Sequence, residues 1–285
     1  MEPDQRELED KRRELGQSDE PVEEELVESF ETMVEEGAER LTRTWRNLFI
    51  TGLFGGIDVG IGILLFLAVK QATGSDLLAG AAFGFGLMAL SLAHSELFTE
   101  NFLVPVMAVL TRHSTWLQLL RFWSVTLVTN LAGGWLFTWL VVAAFPDFHD
   151  ELAATGEKYL SGGLTVETAA LALLAGSTIT LGTRMSQGSS NEVVHVVIAL
   201  VDGLLVVGLG MLHGALNSVI VFGAMHAGAD ISYGEWFLWL LWVIPLNMAG
   251  GLVIVTAPRL VRTLELIRKE RAQQERRRTE EGRTI

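Results

Sequence analysis

The chain has 285 residues, of which 49% are hydrophobic and 19% are charged, with 34 acidic residues against 21 basic ones. Residues 1–47 hold 16 acidic and 7 basic residues and residues 258–285 hold 5 and 9, so the 210 residues between them hold only 13 and 5. This distribution excludes a soluble globular enzyme and a disordered chain, and it disfavours nucleic acid as a partner because a basic face is missing. Because the chain has no Cys, disulfides and thiolate chemistry are excluded as well.

Residues 1–47 are predicted to form an acidic cytoplasmic arm with an amphipathic helix over Val22–Trp45. The opposite face of this helix is nearly all Glu, whereas a helix that binds an anionic lipid surface would carry Lys and Arg there. Two interpretations stay open: packing on the cytoplasmic face of the protein or of a neighbouring subunit, or a solvated helical spacer. The apolar residues that recur at spacings of three and four are Leu26, Phe30, Met33, Val34, Leu41 and Trp45.

The region 48–257 is predicted to be a transmembrane domain, because six of its stretches approach the 20 or so apolar residues that a bilayer crossing requires. Membrane lipid is therefore its expected surrounding. The second and fifth stretches continue beyond an interruption as Phe102–Leu110 and Val219–Met225, which are too short to cross alone. The six stretches are Leu48–Val69, Leu77–Leu97, Trp116–Phe145, Leu164–Met185, Val193–Leu212 and Trp236–Ala257.

The placement of Lys and Arg predicts that both termini are cytoplasmic. In this orientation 19 of the basic residues lie inside, and only Lys70 and Lys158 lie outside. Residues 258–285 then form a charged cytoplasmic tail, which we expect to be a frayed helix.

Two pairs of markers predict an internal repeat. Asn130-Leu-Ala-Gly-Gly lies in the third span and Asn247-Met-Ala-Gly-Gly in the sixth, while His94 and His213 each precede a helix interruption. The offsets within the pairs are 117 and 119 residues. An odd number of spans separates the two units, so their orientations are opposite. The predicted fold is thus an all-α integral membrane protein of two inverted three-helix repeats with helices 2 and 5 broken, an architecture typical of transporters.

The residues at the breaks resemble those of a known family. The run Ser95-Glu-Leu-Phe-Thr99 resembles the Gly-Ala-Glu-Leu-Phe-Thr loop in the second helix of the formate–nitrite transporter family, and His213 with Asn217 resembles its Glu-His-Ser-x-Ala-Asn motif in the fifth. The resemblance implies an aquaporin-like protomer, a homopentamer with one pore per protomer, and small monovalent anions such as formate, nitrite or hydrosulfide as substrates. It also implies the cytoplasmic (inner or plasma) membrane of a prokaryote as the location.

The resemblance assigns roles to four residues. His213 matches the central pore histidine, Thr99 the threonine of the mobile loop, Asn217 the asparagine after the histidine, and Lys158 an anion-attracting lysine at the outer mouth. The chain departs from the pattern at several positions, which put the usual substrates in doubt because an ionised buried carboxylate would repel an anion. These departures are Leu212 in place of a Glu, Ser177 in place of an Asn, Glu100 after the loop threonine, and the additional His94, Asp58 and Asp202.

Ionisable groups at membrane depth are functional candidates. A neutral His213 imidazole can donate a hydrogen bond to an anion or hand it a proton, so that a weak acid crosses uncharged; the alternative is a structural histidine bonded to Asn217 or Thr99. Asp58 is expected near the midplane, either protonated, paired with His94 or His213, or part of a proton relay.

The remaining pathway candidates surround the first break. We expect Glu96 to accept hydrogen bonds from the backbone amides of its loop, while Glu100 and His94 lie near the cytoplasmic vestibule. Phe98 and Phe102 are candidates for an apolar constriction that gates by excluding water; the alternative is that they face lipid or the core.

The leading hypothesis is a channel or transporter for a small monovalent anion or its neutral acid, proton-linked through the central histidine. Alternatives are an aquaporin-like or ammonium-type pore for a small neutral solute, and a non-conducting membrane scaffold or sensor. No enzyme activity, cofactor or metal is expected, because the sequence contains no nucleophile–base constellation, phosphate loop or metal-spaced cluster.

Overall fold

The protein is described by a computed structural model covering residues 20–189 and 191–281, in which every regular element is helical. Short 3-10 turns occupy Phe98–Phe102 and Pro146–Phe148, and π-helical turns occupy Leu204–Gly208 and Gly250–Thr256. The helices are α1 (Glu20–Thr42), α2 (Trp45–Thr73), α3 (Asp76–Leu92), α4 (Val104–Leu110), α5 (Trp116–Ala144), α6 (His149–Ser161), α7 (Val166–Gln187), α8 (Glu192–Gly203), α9 (Gly214–His226), α10 (Tyr233–Ala249), α11 (Ala257–Arg262) and α12 (Leu264–Glu281).

Four continuous helices are long and apolar enough to cross a membrane: α2, α5, α7 and the stretch Tyr233–Arg262. Two further elements are interrupted. Helix α3 ends at Leu92 and the chain resumes helical structure at Phe98, whereas α8 runs into a π-helical turn and is separated from α9 by residues 209–213. The predicted apolar helices and both interruptions are therefore present, and the long helices satisfy their own backbone groups as lipid demands.

The observed helix boundaries follow the caps rather than the apolar runs. Helix α9 begins at Gly214, five residues before the predicted Val219, because the His213 ring Nδ1 accepts a hydrogen bond from the Leu216 backbone amide at 3.1 Å. Hydroxyl caps of the usual kind precede other helices. They are Thr44, Ser75, Thr115, Thr165 and Ser232.

Glycines allow α2 and α5 to cross in close contact. A Cβ atom at Gly56 would collide with the Asn130 carbonyl oxygen, and one at Gly133 would collide with the Leu53 carbonyl oxygen. Small residues at such crossings let backbones approach closely, which replaces the hydrophobic drive that is missing in lipid.

Gly56→Ala is expected to lower the free energy of unfolding by about 1–3 kcal/mol, because the added methyl group forces α2 and α5 apart. Thermal melting of the purified protein in detergent measures this. The matched control is Gly234→Ala, where a Cβ meets only the Ser232 hydroxyl at 3.8 Å and helix propensity favours Ala. Equal melting temperatures for the two variants would contradict the close crossing.

The amphipathic helix α1 packs on the protein itself, as the first of its two interpretations predicted. Phe30, Met33 and Val34 are buried against α4, in a cluster that also includes Ile267 of α12. The expectation of a frayed C-terminal helix is wrong for Leu264–Glu281. Its Ile267 side chain packs in this apolar cluster, and its Arg271 side chain donates a hydrogen bond to the Leu110 carbonyl oxygen. Apolar and polar contacts therefore both hold α12 against α4.

Two ends of the molecule can now be distinguished. The arm face is the end at which α1 and α12 pack against α4. Helix α2 starts beside the arm face and runs to the other end, where Gln71 Nε2 donates to the Asp147 carbonyl at 3.4 Å, just before α6. This opposite end is called the α6 face.

Candidate functional site

The first helix break is held by Asn130 of α5. Its Oδ1 accepts from the Phe98 amide at 2.9 Å, and its Nδ2 donates to the carbonyl oxygens of Gly52 and Glu96, both at 2.7 Å. Asn130 is 2% exposed. One side chain therefore satisfies the non-helical backbone at the break and ties it to α2 and α5, as buried polar groups require.

The second break is held in the same way by Asn247 of α10. Its Oδ1 accepts from the Gly214 amide at 2.8 Å, and its Nδ2 donates to the carbonyl oxygens of Ala172 at 2.8 Å and Leu212 at 2.9 Å. In the sequence both asparagines are recognisable only as repeat markers. Each lies at the corresponding position in the third helix of its predicted repeat, and this correspondence was the available sign that both hold a helix break.

His213 is completely buried at the second break. Since its Nδ1 accepts the Leu216 amide, the ring proton of the neutral imidazole belongs on Nε2. In the part of the chain that the structure describes, Nε2 has no hydrogen-bond partner. The ring is thus not bonded to Asn217 or Thr99, although the His213 backbone amide donates to Asn217 Oδ1.

Two further buried groups at the breaks lack partners among the described residues. They are the Asn217 Nδ2 amide and the Thr99 hydroxyl, and both residues are 0% exposed. An unsatisfied buried donor is costly, and a native protein keeps such groups where a ligand or water can use them. The predicted pathway residues His213, Asn217 and Thr99 therefore each carry a buried hydrogen-bond donor without a partner in the described residues.

Phe98 and Phe102 are buried beside Thr99, which argues against a lipid-facing position. Their rings meet edge to face at 5.2 Å between centroids, and Phe102 meets Trp123 of α5 at 5.8 Å. Phe102 also packs where a Cβ on Gly251 would lie. These aromatic rings make the segment around Thr99 apolar and tightly packed.

A cavity of about 440 Å³ opens on the arm face. Its charged and titratable lining combines α1, the first break and α8. The predicted pathway residues His94, Glu96 and Glu100 all line it, together with Asp202. His94 adopts a left-handed backbone conformation with φ of 54°, where the chain leaves α3. The remaining charged or titratable lining residues are Glu36, Glu39, Arg40, Arg43 and His195.

Glu96 has a different role from the predicted one. Its carboxylate does not hold the loop amides; it accepts from Arg43 at 2.5 Å, from Arg40 at 3.3 Å and from Asn101 Nδ2 at 3.0 Å. Burial alone would lower the pKa of Arg40, but the Glu96 and Glu36 carboxylates outweigh burial and raise it. The network is thus a fixed ionic link between α1 and the first break.

Asp58 lies on α2 with 9% of its surface exposed. Within residues 20–189 and 191–281 it forms no ion pair with His94 or His213, so the predicted pairing is wrong. Its Oδ2 is buried without a hydrogen-bond partner, and the Ser95 side chain of the first break lies beside its carboxyl group.

A second cavity, of about 280 Å³, opens on the α6 face. Lys158 and Lys70 both line it; Lys158 is exposed, whereas Lys70 pairs with Asp76 at 2.6 Å. Tyr159 also lines it, and its hydroxyl lies beside the Asn217 side chain. Burial, with the Asp76 charge, raises the pKa of Tyr159, so this hydroxyl keeps its proton.

Chain connectivity links two of the unsatisfied donors to the two cavities, one to each. Thr99 lies in the chain between Glu96 and Glu100, which line the arm-side cavity, and Asn217 lies beside Tyr159, which lines the α6-side cavity. Neither cavity is lined by Thr99, His213 or Asn217. The candidate site is therefore a buried set of donors outside both cavities, and the two cavities are called its vestibules. No group of three or more His, Asp or Glu side chains placed to hold a metal occurs in the described residues.

Comparison with known proteins places this arrangement in a family. A family profile described as formate/nitrite transporter matches residues 27–261. The uncharacterized transporter YrhG of Bacillus subtilis (strain 168) is 25% identical over 244 residues, which cover 80% of this chain and 89% of that protein. The formate channel BtFdhC of Bacillus thuringiensis is 31% identical over 109 residues, which cover 36% of this chain and 42% of that protein.

Solved structures share the fold. A pentameric formate channel with formate bound has a TM-score of 0.65 and 20% identity, covering 77% of this chain and 97% of that one. An FNT family ion channel has a TM-score of 0.68 and 18% identity, covering 83% and 99%. The broken helices, the buried histidine and the profile match agree: the chain belongs to the formate/nitrite transporter family of membrane transport proteins.

Proposed function

We propose that the protein is a channel or transporter for a small monovalent anion or its neutral acid, with formate and nitrite as the model substrates. The observation that carries the proposal is a set of three buried donors that have no hydrogen-bond partner among the residues that the structure describes: His213 Nε2, Asn217 Nδ2 and the Thr99 hydroxyl. All three can donate to an oxygen of a small anion. BtFdhC is a formate channel, and one solved neighbour holds formate, which supports this substrate class.

The backbone adds to the attraction for an anion. Helix α9 starts at Gly214, directly after His213, and its 13 residues present their positive end to the interior. Half-helix ends that point at a substrate near the membrane midplane are a recurring device of transporters. An anion that leaves either vestibule would thus meet hydrogen-bond donors and a favourable helix end.

Charge still opposes passage, because an ion in a low-dielectric interior is costly. We therefore propose a proton link: the substrate crosses the buried segment between the two vestibules as the neutral acid. The His213 Nε2–H group is its hydrogen-bonding or proton-donating partner. Phe98 and Phe102 form an apolar constriction beside this point. His94, Glu96 and Glu100 line its arm-side entrance, and Asp58 lies beside the first break.

The proposed topology has six membrane-crossing elements in two inverted three-helix units, with α3–α4 and α8–α9 as the broken members. The matching hydrogen bonds of Asn130 and Asn247 support the repeat. We propose that the arm face is cytoplasmic in a prokaryotic inner or plasma membrane, and that the transport domain covers 48–257. The protomers would form a homopentamer, as in the pentameric neighbour.

A flux panel tests the proposal. Purified protein in liposomes is offered formate, nitrite, hydrosulfide, acetate, methylammonium and the neutral solute glycerol at pH 5.5 and pH 7.5. Uptake of at least one of the three small monovalent anions, faster at the acidic pH, supports it. Flux confined to methylammonium would indicate an ammonium-type pore, flux of neutral solutes alone an aquaporin-like pore, and absence of all flux a scaffold or sensor.

Lys158 is proposed to attract anions to the α6-face vestibule. Lys158→Gln is expected to slow formate uptake from that face about twofold to fivefold at low salt, because one exposed cation contributes a modest, screened attraction. The effect should disappear at high ionic strength, and Lys158→Arg should behave as the wild type. A salt-independent loss would mean that Lys158 has a structural role instead.

A further inference from the structure

The carboxyl groups of Glu100 and Asp202 have no chemical role in the mechanism described so far. We propose that they form a proton-exchange pair on the arm side of the constriction, which protonates a weak-acid anion before it enters and excludes anions of strong acids. This inference rests on the proposed function and adds a second set of specificity-determining residues to it. It assigns to these two residues the selection between anions of weak acids and anions of strong acids.

The two carboxyl groups belong to residues that line the same cavity. Glu100 lies in the 3-10 turn that also carries Phe98 and Phe102, and Asp202 lies on α8; both line the arm-side cavity. A Cβ on Gly182 of α7 would collide with the Asp202 carboxylate. The missing side chain of Gly182 therefore leaves the space that Asp202 occupies beside the cavity.

The cations of the cavity are committed to other carboxylates. Arg40 hydrogen-bonds Glu36, Glu96 and Asn101, and Arg43 bonds Glu96. The charge of Arg40 also reaches Glu100. Within the described chain, however, neither the Glu100 nor the Asp202 carboxyl group makes a hydrogen bond or an ion pair.

None of the other titratable groups that face the cavity forms an ion pair with Glu100 or Asp202 in the part of the chain that the structure describes. His195 on α8 directs Nε2 to the carbonyl oxygens of Ser186 and Ser189, at 3.1 and 2.7 Å. His94 is exposed at the end of α3, and Glu39 is an exposed acid on α1. Helix α7 contributes only neutral side chains, Thr183, Ser186 and Gln187.

The cavity lining holds five acidic side chains against two arginines, and this excess of negative charge favours a state in which Glu100 or Asp202 keeps a proton. An incoming anion can take that proton: the carboxyl O–H bond breaks, an O–H bond forms on the substrate, and the carboxylate remains. Cavity water then returns a proton to the carboxylate from the arm side. The neutral acid proceeds past Phe98 and Phe102, whereas an anion that cannot be protonated meets an ionised carboxylate and is repelled.

The experiment compares formate, the anion of a weak acid, with thiocyanate, the anion of a strong acid. Both uptakes are measured in liposomes for the wild type and for the double variant Glu100→Gln, Asp202→Asn. The formate-to-thiocyanate rate ratio is expected to fall by about tenfold or more, because proton supply is lost and repulsion is removed together. Glu39→Gln, an acid of the same cavity, is the control and should leave the ratio unchanged.

A second variant tests the placement of Asp202 without changing either carboxyl group. Gly182→Ala should displace Asp202 and lower the ratio in the same direction. A double variant that folds, as judged by its melting temperature, and changes the ratio less than threefold overturns the inference. Absence of formate flux in the wild type would overturn the proposed function and this inference with it, whereas wild-type flux with an unchanged variant ratio overturns this inference alone.

Discussion

Asn130→Ala is expected to lower the free energy of unfolding by about 3–5 kcal/mol, the largest stability effect predicted for this chain. Three buried backbone groups would lose their partner at once, and each unsatisfied group costs about 1–3 kcal/mol. Water cannot replace the side chain easily, because the site is 2% exposed in the interior of a membrane protein. Chemical or thermal unfolding in detergent measures the loss.

The control for Asn130 comes from the same helix. The buried Thr138 hydroxyl donates only within its own helix, to the carbonyl oxygens of Gly134 at 2.9 Å and Trp135 at 3.2 Å, so Thr138→Val should cost about 1 kcal/mol. Asn247→Ala should match Asn130→Ala, since it makes the corresponding three hydrogen bonds at the second break. If Asn130→Ala is no more destabilising than Thr138→Val, the asparagines do not hold the breaks.

His213→Asn is expected to reduce formate flux by about 100-fold or more while leaving the fold intact, as the loss of an acid–base group implies. Asn is chosen because its side-chain oxygen can take over the cap that His213 Nδ1 provides to the Leu216 amide. The substitution thus removes the Nε2–H group and keeps the structural contact. His213→Ala would remove both, with about 1 kcal/mol of additional instability.

Melting temperature and flux are read together for this pair. Unchanged flux in His213→Asn would remove the imidazole from the pathway, and a melting temperature as low as that of His213→Ala would show that the cap was not replaced. The matched expectation for Asn217→Asp is also a loss of flux, because the variant replaces the unpaired Nδ2 donor with an oxygen beside the path.

The sequence was sufficient for features that depend on local composition. Apolar length predicted the four long apolar helices, and the polar runs predicted both breaks. The repeat suggested by Asn130 and Asn247, 117 residues apart, stays a prediction. The exact start of a helix depends on a cap contact. Helix α9 begins at Gly214 because the ring Nδ1 of the preceding His213 accepts a hydrogen bond from the Leu216 amide. Apolar periodicity does not contain that information.

Contacts between distant residues could not be predicted from the sequence. Glu96 pairs with Arg40 of α1 and with Arg43 just after it, both of which precede Glu96 by more than fifty residues. The same holds for α12. Its charged sequence suggested a frayed helix, but in the structure Ile267 and Arg271 contact residues of α4. Periodicity shows which face of a helix is apolar, but tertiary packing decides which charges meet.

The central claim is that the substrate crosses the segment around His213 without net charge. Formate uptake into liposomes is measured under a potassium-clamped membrane voltage, with an internal pH indicator reading proton entry. We predict that uptake acidifies the interior in proportion to the formate that enters and that its rate does not respond to voltage. Formate flux that follows the voltage without acidifying the interior would contradict the account, because the bare anion would then be the species that crosses.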